Sequence, residues 1–271
     1  MNEYKQCLIK ILLWFHNYCE EHGLRYYLVE GTMLGAARHQ GFIPWDDDID
    51  VGMPRKDYEE LKILMGNNIH DGKYMLETED SKRREYLVPF GKIYDVTTRM
   101  VEQRRIPVVM GAYIDIFPLD GIGETLEEAN RNFKRIAFRH DILTSRAVVV
   151  REGRKWYKNL AVRIFQALPD FLINEKRLLH RINELCKERS FDNSNYVGNL
   201  VSTYRSKEIM LREIYGQPKL FSFEGHKVYG VADEDGYLKS LYGDWRKLPP
   251  EEKRKSAHTM EQIDLHTSFL Q

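Results

Sequence analysis

Carboxylates at alternate positions are the feature of this sequence with the clearest chemistry. Residues 45–52 read WDDDIDVG. Side chains alternate between the two faces of an extended strand, so Asp48 and Asp50 point one way while Ile49 and Val51 point into a core. Neighbouring carboxylates repel each other unless a cation lies between them, and hard oxygen ligands suit Mg²⁺ or Mn²⁺. The apolar residues between the acids favour a metal site over a solvated acidic turn.

Two further motifs could complete such a site. Asp115 lies between apolar residues in the strand-like segment YIDIF, where a lone charge is costly. Metal binding would relieve that cost, and so would an ion pair with Arg99 or Arg105. Upstream, Gly31 and Thr32 follow a predicted strand and open a helix, where backbone N–H groups and a hydroxyl can hold phosphate oxygens. An ordinary turn would show the same two residues.

The elements that must position these side chains indicate an α+β fold. Hydrophobic spacing predicts three helices over 4–22, 33–39 and 55–65, and two strands over 25–30 and 48–52. Short β segments follow between residues 73 and 117, then a charged helix over 124–140. The rest is mostly helical, with a short strand-like piece, a helix and a turn over 226–250. We therefore expect a catalytic core over 1–125 and a mostly helical second half over 126–271.

Composition restricts the class of protein. The chain has 271 residues, with 41 Lys and Arg against 41 Asp and Glu, so its net charge argues against a nucleic-acid partner. Three cysteines without a CxxC pair argue against a disulfide framework or a Cys-built zinc site, and they fit a reducing cytosol. The first residues lack the order of regions of a signal peptide, and no apolar run is long enough to span a membrane. We expect a cytoplasmic enzyme.

The order of the motifs resembles the nucleotidyltransferase fold, in which carboxylates hold metal ions against a phosphoryl group. More narrowly, EGTMLGAARHQGFIPWDDDIDVGMPRKDY, over residues 30–58, is similar to the signature of the LicD family, a phosphocholine-transferase group that includes fukutin-like proteins. The similarity extends to GAYIDIFPLDG (111–121), to YGDWRKLPPEEKR (242–254) and to His258. These blocks lie in both halves of the chain.

The resemblance implies a nucleotidyltransferase-like mixed β-sheet core flanked by helices. It implies transfer of phosphocholine from CDP-choline to a hydroxyl of a cell-surface glycan, such as a teichoic acid or lipopolysaccharide precursor, with release of CMP. It assigns Asp48, Asp50 and Asp115 as catalytic residues and as ligands of Mg²⁺ or Mn²⁺, with Asp115 as an alternative general base. It assigns Gly31 and Thr32 to the phosphate turn.

Further candidates surround this set. Arg38 and Lys92 could contact donor phosphate, although exposure at the surface is an equal alternative for Arg38. Asp46 could support a metal ligand, and Asp47 is typical of a turn. His258 is a candidate substrate contact whose role could also be structural.

Choline is a quaternary ammonium, which proteins hold against aromatic faces and carboxylates. Trp245, Tyr242 and Asp244, in the YGDW block, are the predicted walls of a choline cage. Trp45 and Tyr113 compete for this role, and core packing is an alternative for every ring.

A basic segment and three other functions remain open. Residues 146–181 hold nine Lys or Arg against three Asp or Glu. This is either a solvated helix face or a peripheral contact with anionic lipid at the inner membrane face, which would suit a lipid-linked or polymeric glycan acceptor. The functional alternatives are the same chemistry with CDP-ribitol, CDP-glycerol or CDP-ethanolamine, a true nucleotidyltransferase, and a non-catalytic binding module.

Overall fold

A mixed β-sheet organises the computed structural model, which describes residues 2–150, 156–254 and 260–270. The strands are β1 Tyr27–Leu28, β2 Asp50–Pro54, β3 Ile69–His70, β4 Tyr74–Glu77, β5 Gly91–Glu102, β6 Val108–Gly123, β7 Tyr196–Gly198, β8 Met210–Leu211, β9 Lys219–Phe223, β10 His226–Gly230 and β11 Met260–Asp264. The helices are α1 Glu3–His22, α2 Glu30–His39, α3 Arg55–Met65, α4 Leu126–Ala147, α5 Trp156–Ala167, α6 Glu175–Cys186, α7 Arg212–Tyr215 and α8 Glu234–Tyr242. The predicted α+β class is confirmed.

The strands run in the order β3-β4-β5-β6-β2-β1-β10-β9, with β11 on β5 and β7 on β6. The pairs β2–β6 and β1–β10 are parallel, and the other pairs are antiparallel. In the parallel pair β2–β6, Asp50 lies opposite Asp115 and Val51 opposite Ile116. A slip of one residue would turn the buried Val51 out of the core, so burial of the apolar residues also sets the acids side by side.

Two hydrophobic cores support the sheet. Helix α1 starts where the Asn2 side chain accepts a hydrogen bond from the Lys5 N–H, and it ends at Gly23, which has a φ of +65°. Its buried face, including Phe15, joins the main core beneath the sheet. The second core packs α4 and α6 against the far end of β6. The Arg55 guanidinium donates to both carboxylate oxygens of Asp120, which ties α3 to that end of β6.

The second half of the chain contributes to both cores. Strands β10 and β9 extend the main sheet beside β1, and residues of α8 pack into the main core. Helices α4 and α6 build the second core. The domain division at residue 125 stays a prediction. The three cysteines are buried and free.

The basic segment 146–181 is not a single solvated face. The Arg146 side chain is 1% exposed. It donates to Glu175, to Asp170 and to the Phe165 and Leu168 carbonyl oxygens, at 2.7 to 2.8 Å. Arg146 therefore fixes α4 against α5 and cannot contact a partner. Among the residues that the structure describes, no helix is long and apolar enough to cross a membrane.

Candidate active site

The predicted acids meet where the first residue of β2, Asp50, pairs with Asp115 in the middle of the parallel strand β6. The Asp115 N–H donates to the Ile49 carbonyl at 2.9 Å, and the Val29 N–H donates to the Asp50 carbonyl at 3.1 Å. The Asp50 N–H donates to the Thr32 hydroxyl oxygen at 2.8 Å. These bonds hold the backbone of both acids, so β1, β2, β6 and the start of α2 meet at one point.

A cleft of about 490 Å³ opens at this point. The lining contains the acids Glu30, Asp46, Asp48, Asp50, Glu102 and Asp115, the cations Lys92 and Arg104, and the rings Phe90, Tyr113, Phe117 and Tyr204. Asp47 and Ile49 do not belong to the lining, as expected from alternation along an extended segment. Asp48, Asp50 and Asp115, which are 67 positions apart at most, are thus brought to one cavity.

Burial and mutual repulsion dominate the electrostatics of the acids. Burial, followed by the charges of Asp48, Glu30 and Asp115, raises the pKa of Asp50 well above its usual range. Burial also raises the pKa of Glu30 to about 7, although its carboxylate accepts a hydrogen bond from Asn199 at 3.1 Å. Such a cluster favours a bound cation, because a positive charge would offset both the burial of the carboxylates and the repulsion between them.

Lys92 is the ion-pair partner of Asp115. The two side chains are 3% and 11% exposed, and the Lys92 ammonium donates to the Asp115 carboxylate. The ion-pair partners expected from the sequence were Arg99 or Arg105. The ammonium also lies 3.6 Å from the centroid of the Tyr113 ring. Burial raises the pKa of Asp115, and the Lys92 charge opposes this shift.

The carboxylates fit a hard divalent cation in kind, but they are not gathered around one point. Among the described residues, no group of three or more His, Cys, Asp or Glu side chains is placed to hold a metal ion. Asp48 and Asp50 lie on one segment and line the cleft, while Asp115 is engaged by Lys92. The metal assignments of the three aspartates therefore stay predictions.

Gly31 and Thr32 differ in what they present to the cleft. Helix α2 begins at Glu30, which has a φ of +48°, so both residues belong to its first turn rather than to a preceding turn. Gly31 lines the cleft, and a Cβ atom there would lie 2.7 Å from an Asp46 carboxylate oxygen. Thr32 is buried outside the lining, where its hydroxyl oxygen holds the Asp50 backbone. Its contact with phosphate stays a prediction.

Several predicted contacts lie away from the cleft. The Arg38 guanidinium donates to the Trp245 carbonyl at 2.8 Å, and the Trp245 indole donates to Asp235 at 3.0 Å. Trp245 belongs to the main core, and Asp244 is exposed. Tyr242 reaches the cleft only through Tyr204, since their hydroxyl oxygens are 2.7 Å apart.

The choline contacts predicted for Trp245, Tyr242 and Asp244 stay a prediction, and other rings line the cleft. Trp45 packs against the main core and does not line the cleft, whereas Tyr113 does. His258 lies outside the described residues.

Sequence reasoning missed residues that reach the cleft from distant segments. Arg104 follows β5, forms an ion pair with Glu102 at 3.0 Å and lines the cleft. His140 lines it from α4, and burial lowers the pKa of its imidazole to about 4, so the ring is neutral at pH 7. Phe90 lies two positions before the candidate Lys92 in the PFGK segment, so its place in the lining could have been predicted from the sequence. His140 has no sequence signal, because only the packing of α4 places it there.

Comparisons with known proteins agree with this site. A family model described as LicD/FKTN/FKRP, nucleotidyltransferase domain, matches residues 23–144. The lipopolysaccharide cholinephosphotransferase LicD of Haemophilus influenzae is 29% identical over 268 residues, which cover 96% of this chain and 97% of that protein. The human ribitol 5-phosphate transferase FKRP is 47% identical over 47 residues, 17% of this chain and 10% of that protein. The matched region contains every acid that lines the cleft, and residues 23–144 are therefore similar to the nucleotidyltransferase domain of the LicD family.

Proposed function

We propose that this protein is a transferase that moves phosphocholine from CDP-choline to a hydroxyl of a cell-surface glycan and releases CMP. The observation that carries the proposal is the pairing of Asp50 with Asp115 on adjacent parallel strands, at the floor of a cleft that also holds Asp48. Similarity to a lipopolysaccharide cholinephosphotransferase along 96% of the chain supports the choice of transferred group and acceptor.

The donor phosphates would lie over the start of α2. Gly31 lines the cleft at the first turn of this helix, where backbone N–H groups and the helix dipole favour negative charge. Lys92 and Arg104 supply two cations on the same lining. Arg38 has no part in this arrangement, because its guanidinium is directed to the Trp245 carbonyl.

Asp48 and Asp50 would hold a Mg²⁺ or Mn²⁺ ion, with Asp115 as a third ligand or as the general base. When bound, such an ion neutralises charge on the diphosphate of the donor. The protein's own contribution is to fix the acids: the Thr32 hydroxyl and the Val29 N–H hold the Asp50 backbone on both sides. Substitution of a metal ligand should therefore reduce turnover without disturbing β2.

The alcohol of the donor would meet an aromatic wall. Phe90 and Phe117 pack with ring centroids 4.4 Å apart, and Tyr113 and Tyr204 line the same cavity. The Lys92 ammonium on the Tyr113 face shows a cation held between a ring and a carboxylate within this cleft. A trimethylammonium group needs the same two elements.

The acceptor hydroxyl would enter from the α4 side. Its oxygen would attack the phosphorus of the phosphocholine group, the bond from that phosphorus to CMP would break, and the hydroxyl proton would pass to a base in the cleft. Asp115 is one candidate base. The His140 imidazole also lines the cleft, but its pKa of about 4 makes it a weaker base than a group whose pKa lies near 7. A lipid-linked acceptor would put this reaction at the cytoplasmic face of the cell membrane.

Transfer of ribitol phosphate from CDP-ribitol is the second candidate function. The similarity to human FKRP, named a ribitol 5-phosphate transferase, favours it. The cleft also carries polar side chains that could hydrogen-bond a polyol, namely Gln103, Thr144, Ser202 and Thr203. The two donors thus differ in whether the aromatic or the polar part of the lining is used.

A donor panel tests the proposal. CMP release is measured with CDP-choline, CDP-ribitol, CDP-glycerol and CDP-ethanolamine, each with Mg²⁺, with Mn²⁺ and with EDTA, and with and without glycan acceptors. We expect CDP-choline to be preferred and EDTA to stop turnover. Preference for CDP-ribitol would favour the second candidate function. Turnover that is unaffected by EDTA would contradict the requirement for a divalent cation. Release of pyrophosphate from CTP instead would indicate a true nucleotidyltransferase.

A further inference from the structure

Helix α5 turns an apolar side outward. Trp156, Tyr157, Leu160 and Ile164 are 76, 49, 48 and 52% exposed. Their spacing of three to four positions places them on one side of the helix, while Val162 is buried on the other. In an ordinary surface helix the outward side is polar. The exposure of four large apolar side chains in twelve residues is therefore unexplained by the fold.

The turn after α5 exposes two more large apolar side chains. Phe171 and Leu172 are 85 and 62% exposed, and the Leu172 N–H donates to the Pro169 carbonyl at 3.0 Å. We call these two residues and the four exposed residues of α5 the apolar ridge. Single exposed apolar residues need no explanation, but several large ones on one side of a helix mark an interaction surface.

The charges of α5 are cationic, and the exposed acid beside Phe171, Asp170, is paired with Arg146. Helix α5 carries Lys158 and Arg163, both exposed, and no acidic residue. On α6, the next helix, Arg177 and Arg181 are exposed, and so is Glu184. Aromatic and aliphatic side chains bordered by Lys and Arg are the composition of helices that lie in the interface of an anionic bilayer. The charge complementarity thus selects a lipid surface as the partner.

The apolar ridge is attached to a wall of the cleft. The Gln166 side chain of α5 donates to the Ser145 carbonyl at 3.1 Å and to the Val148 carbonyl at 2.8 Å. Thr144 and Val148, from the same end of α4, line the cleft. A membrane that contacts α5 would therefore lie beside the side of the cleft from which we expect the acceptor.

We propose that the apolar ridge docks on an anionic membrane surface and thereby presents the cleft to a lipid-linked acceptor. The acceptor part of this proposal rests on the proposed function. The docking itself requires neither donor nor turnover, so the two can be tested separately.

Vesicle sedimentation of the full chain tests the docking. The vesicles contain phosphatidylethanolamine with phosphatidylglycerol, or with the neutral digalactosyldiacylglycerol in its place, and both lack choline headgroups that could enter the cleft. The variant Trp156→Ser/Leu160→Ser/Ile164→Ser removes the centre of the ridge. The control is Ile63→Ser, because Ile63 on α3 is 75% exposed and lies outside the ridge.

We expect the wild type and Ile63→Ser to bind anionic vesicles more tightly than neutral ones, and the triple variant to bind at least about tenfold more weakly. CMP release without acceptor, and the midpoint of thermal unfolding, should be the same in all three proteins. Absence of vesicle binding by the wild type would overturn the proposal. So would a concentration-dependent dimer, seen by analytical ultracentrifugation and lost in the triple variant, because the ridge would then pair two copies. Loss of CMP release in all proteins would count against the proposed function only.

Discussion

Replacing Lys92 by Met isolates the electrostatics on which the cleft depends. Lys92 and Asp115 are nearly inaccessible to water, at 3% and 11% exposure, and they form an ion pair. Methionine keeps most of the volume of the side chain and its contact with Tyr113, but it leaves the Asp115 charge without its partner. Removal of one member of a buried pair costs about 3–5 kcal/mol of unfolding free energy. At roughly 2–4 °C per kcal/mol for a chain of this size, the Tm should fall by about 6–20 °C.

Urea unfolding at pH 7.5 without divalent cations measures this loss. The double variant Lys92→Met/Asp115→Asn should recover most of it, because no buried charge is then left unpaired. Lys219→Met is a matched control, since Lys219 forms an exposed pair with Glu234 at 3.1 Å and its loss should change little. A loss below about 1 kcal/mol for Lys92→Met, or a double variant as unstable as the two single losses combined, would refute the reasoning.

Three further outcomes follow from the geometry. The pKa of Glu30 is about 7 in the folded protein against 4.5 when unfolded, so the free energy of unfolding should fall by up to about 3 kcal/mol as pH rises from 4.5 to 7. Urea midpoints measured across this range should change less with pH in Glu30→Gln than in the wild type. An equal pH dependence in both proteins would contradict the assignment to Glu30. Gly31→Ala places Cβ 2.7 Å from an Asp46 carboxylate oxygen, so the Asp46 side chain must move within the cleft. The rate of CMP release should fall about tenfold, while the free energy of unfolding changes by less than about 1 kcal/mol. A wild-type rate would contradict this expectation. Arg146→Met should lower the unfolding free energy by about 3–5 kcal/mol in urea, and a shift within the range of surface substitutions would be the opposing result.

The periodic parts of the fold could be read from the sequence because their burial pattern is local. The helix predicted over 55–65 has those bounds in the structure, and the first helix differs from its prediction by one residue. Segments without a local signal were misjudged. The strand predicted over 25–30 is only Tyr27–Leu28, since Glu30 already begins α2 in a left-handed conformation that no pattern announces. Strand β9 was missed, and it belongs to the sheet only because β10 pairs with it.

The acids of the site could be located from the sequence, but its walls could not. Asp48, Asp50 and Asp115 lie on strand patterns in which apolar neighbours set the face, so burial dictates their direction. Aromatic residues have no such constraint. Trp245 packs into the core, whereas Tyr204, which no motif marked, reaches the cleft through the fold of a distant segment. Which rings meet in a cavity is decided by tertiary packing rather than by spacing along the chain.

The rate of CMP release by Asp50→Asn is the most direct measurement of the central claim. Asparagine has the shape of aspartate and removes a buried charge that its neighbours repel, so the Tm should stay the same or rise. With CDP-choline and Mg²⁺, we expect the rate to fall by about a thousandfold, or about 4 kcal/mol of activation free energy, while Asp47→Asn, outside the cleft lining, stays near the wild type. A folded Asp50→Asn protein that releases CMP at the wild-type rate would contradict the claim that these carboxylates carry the chemistry.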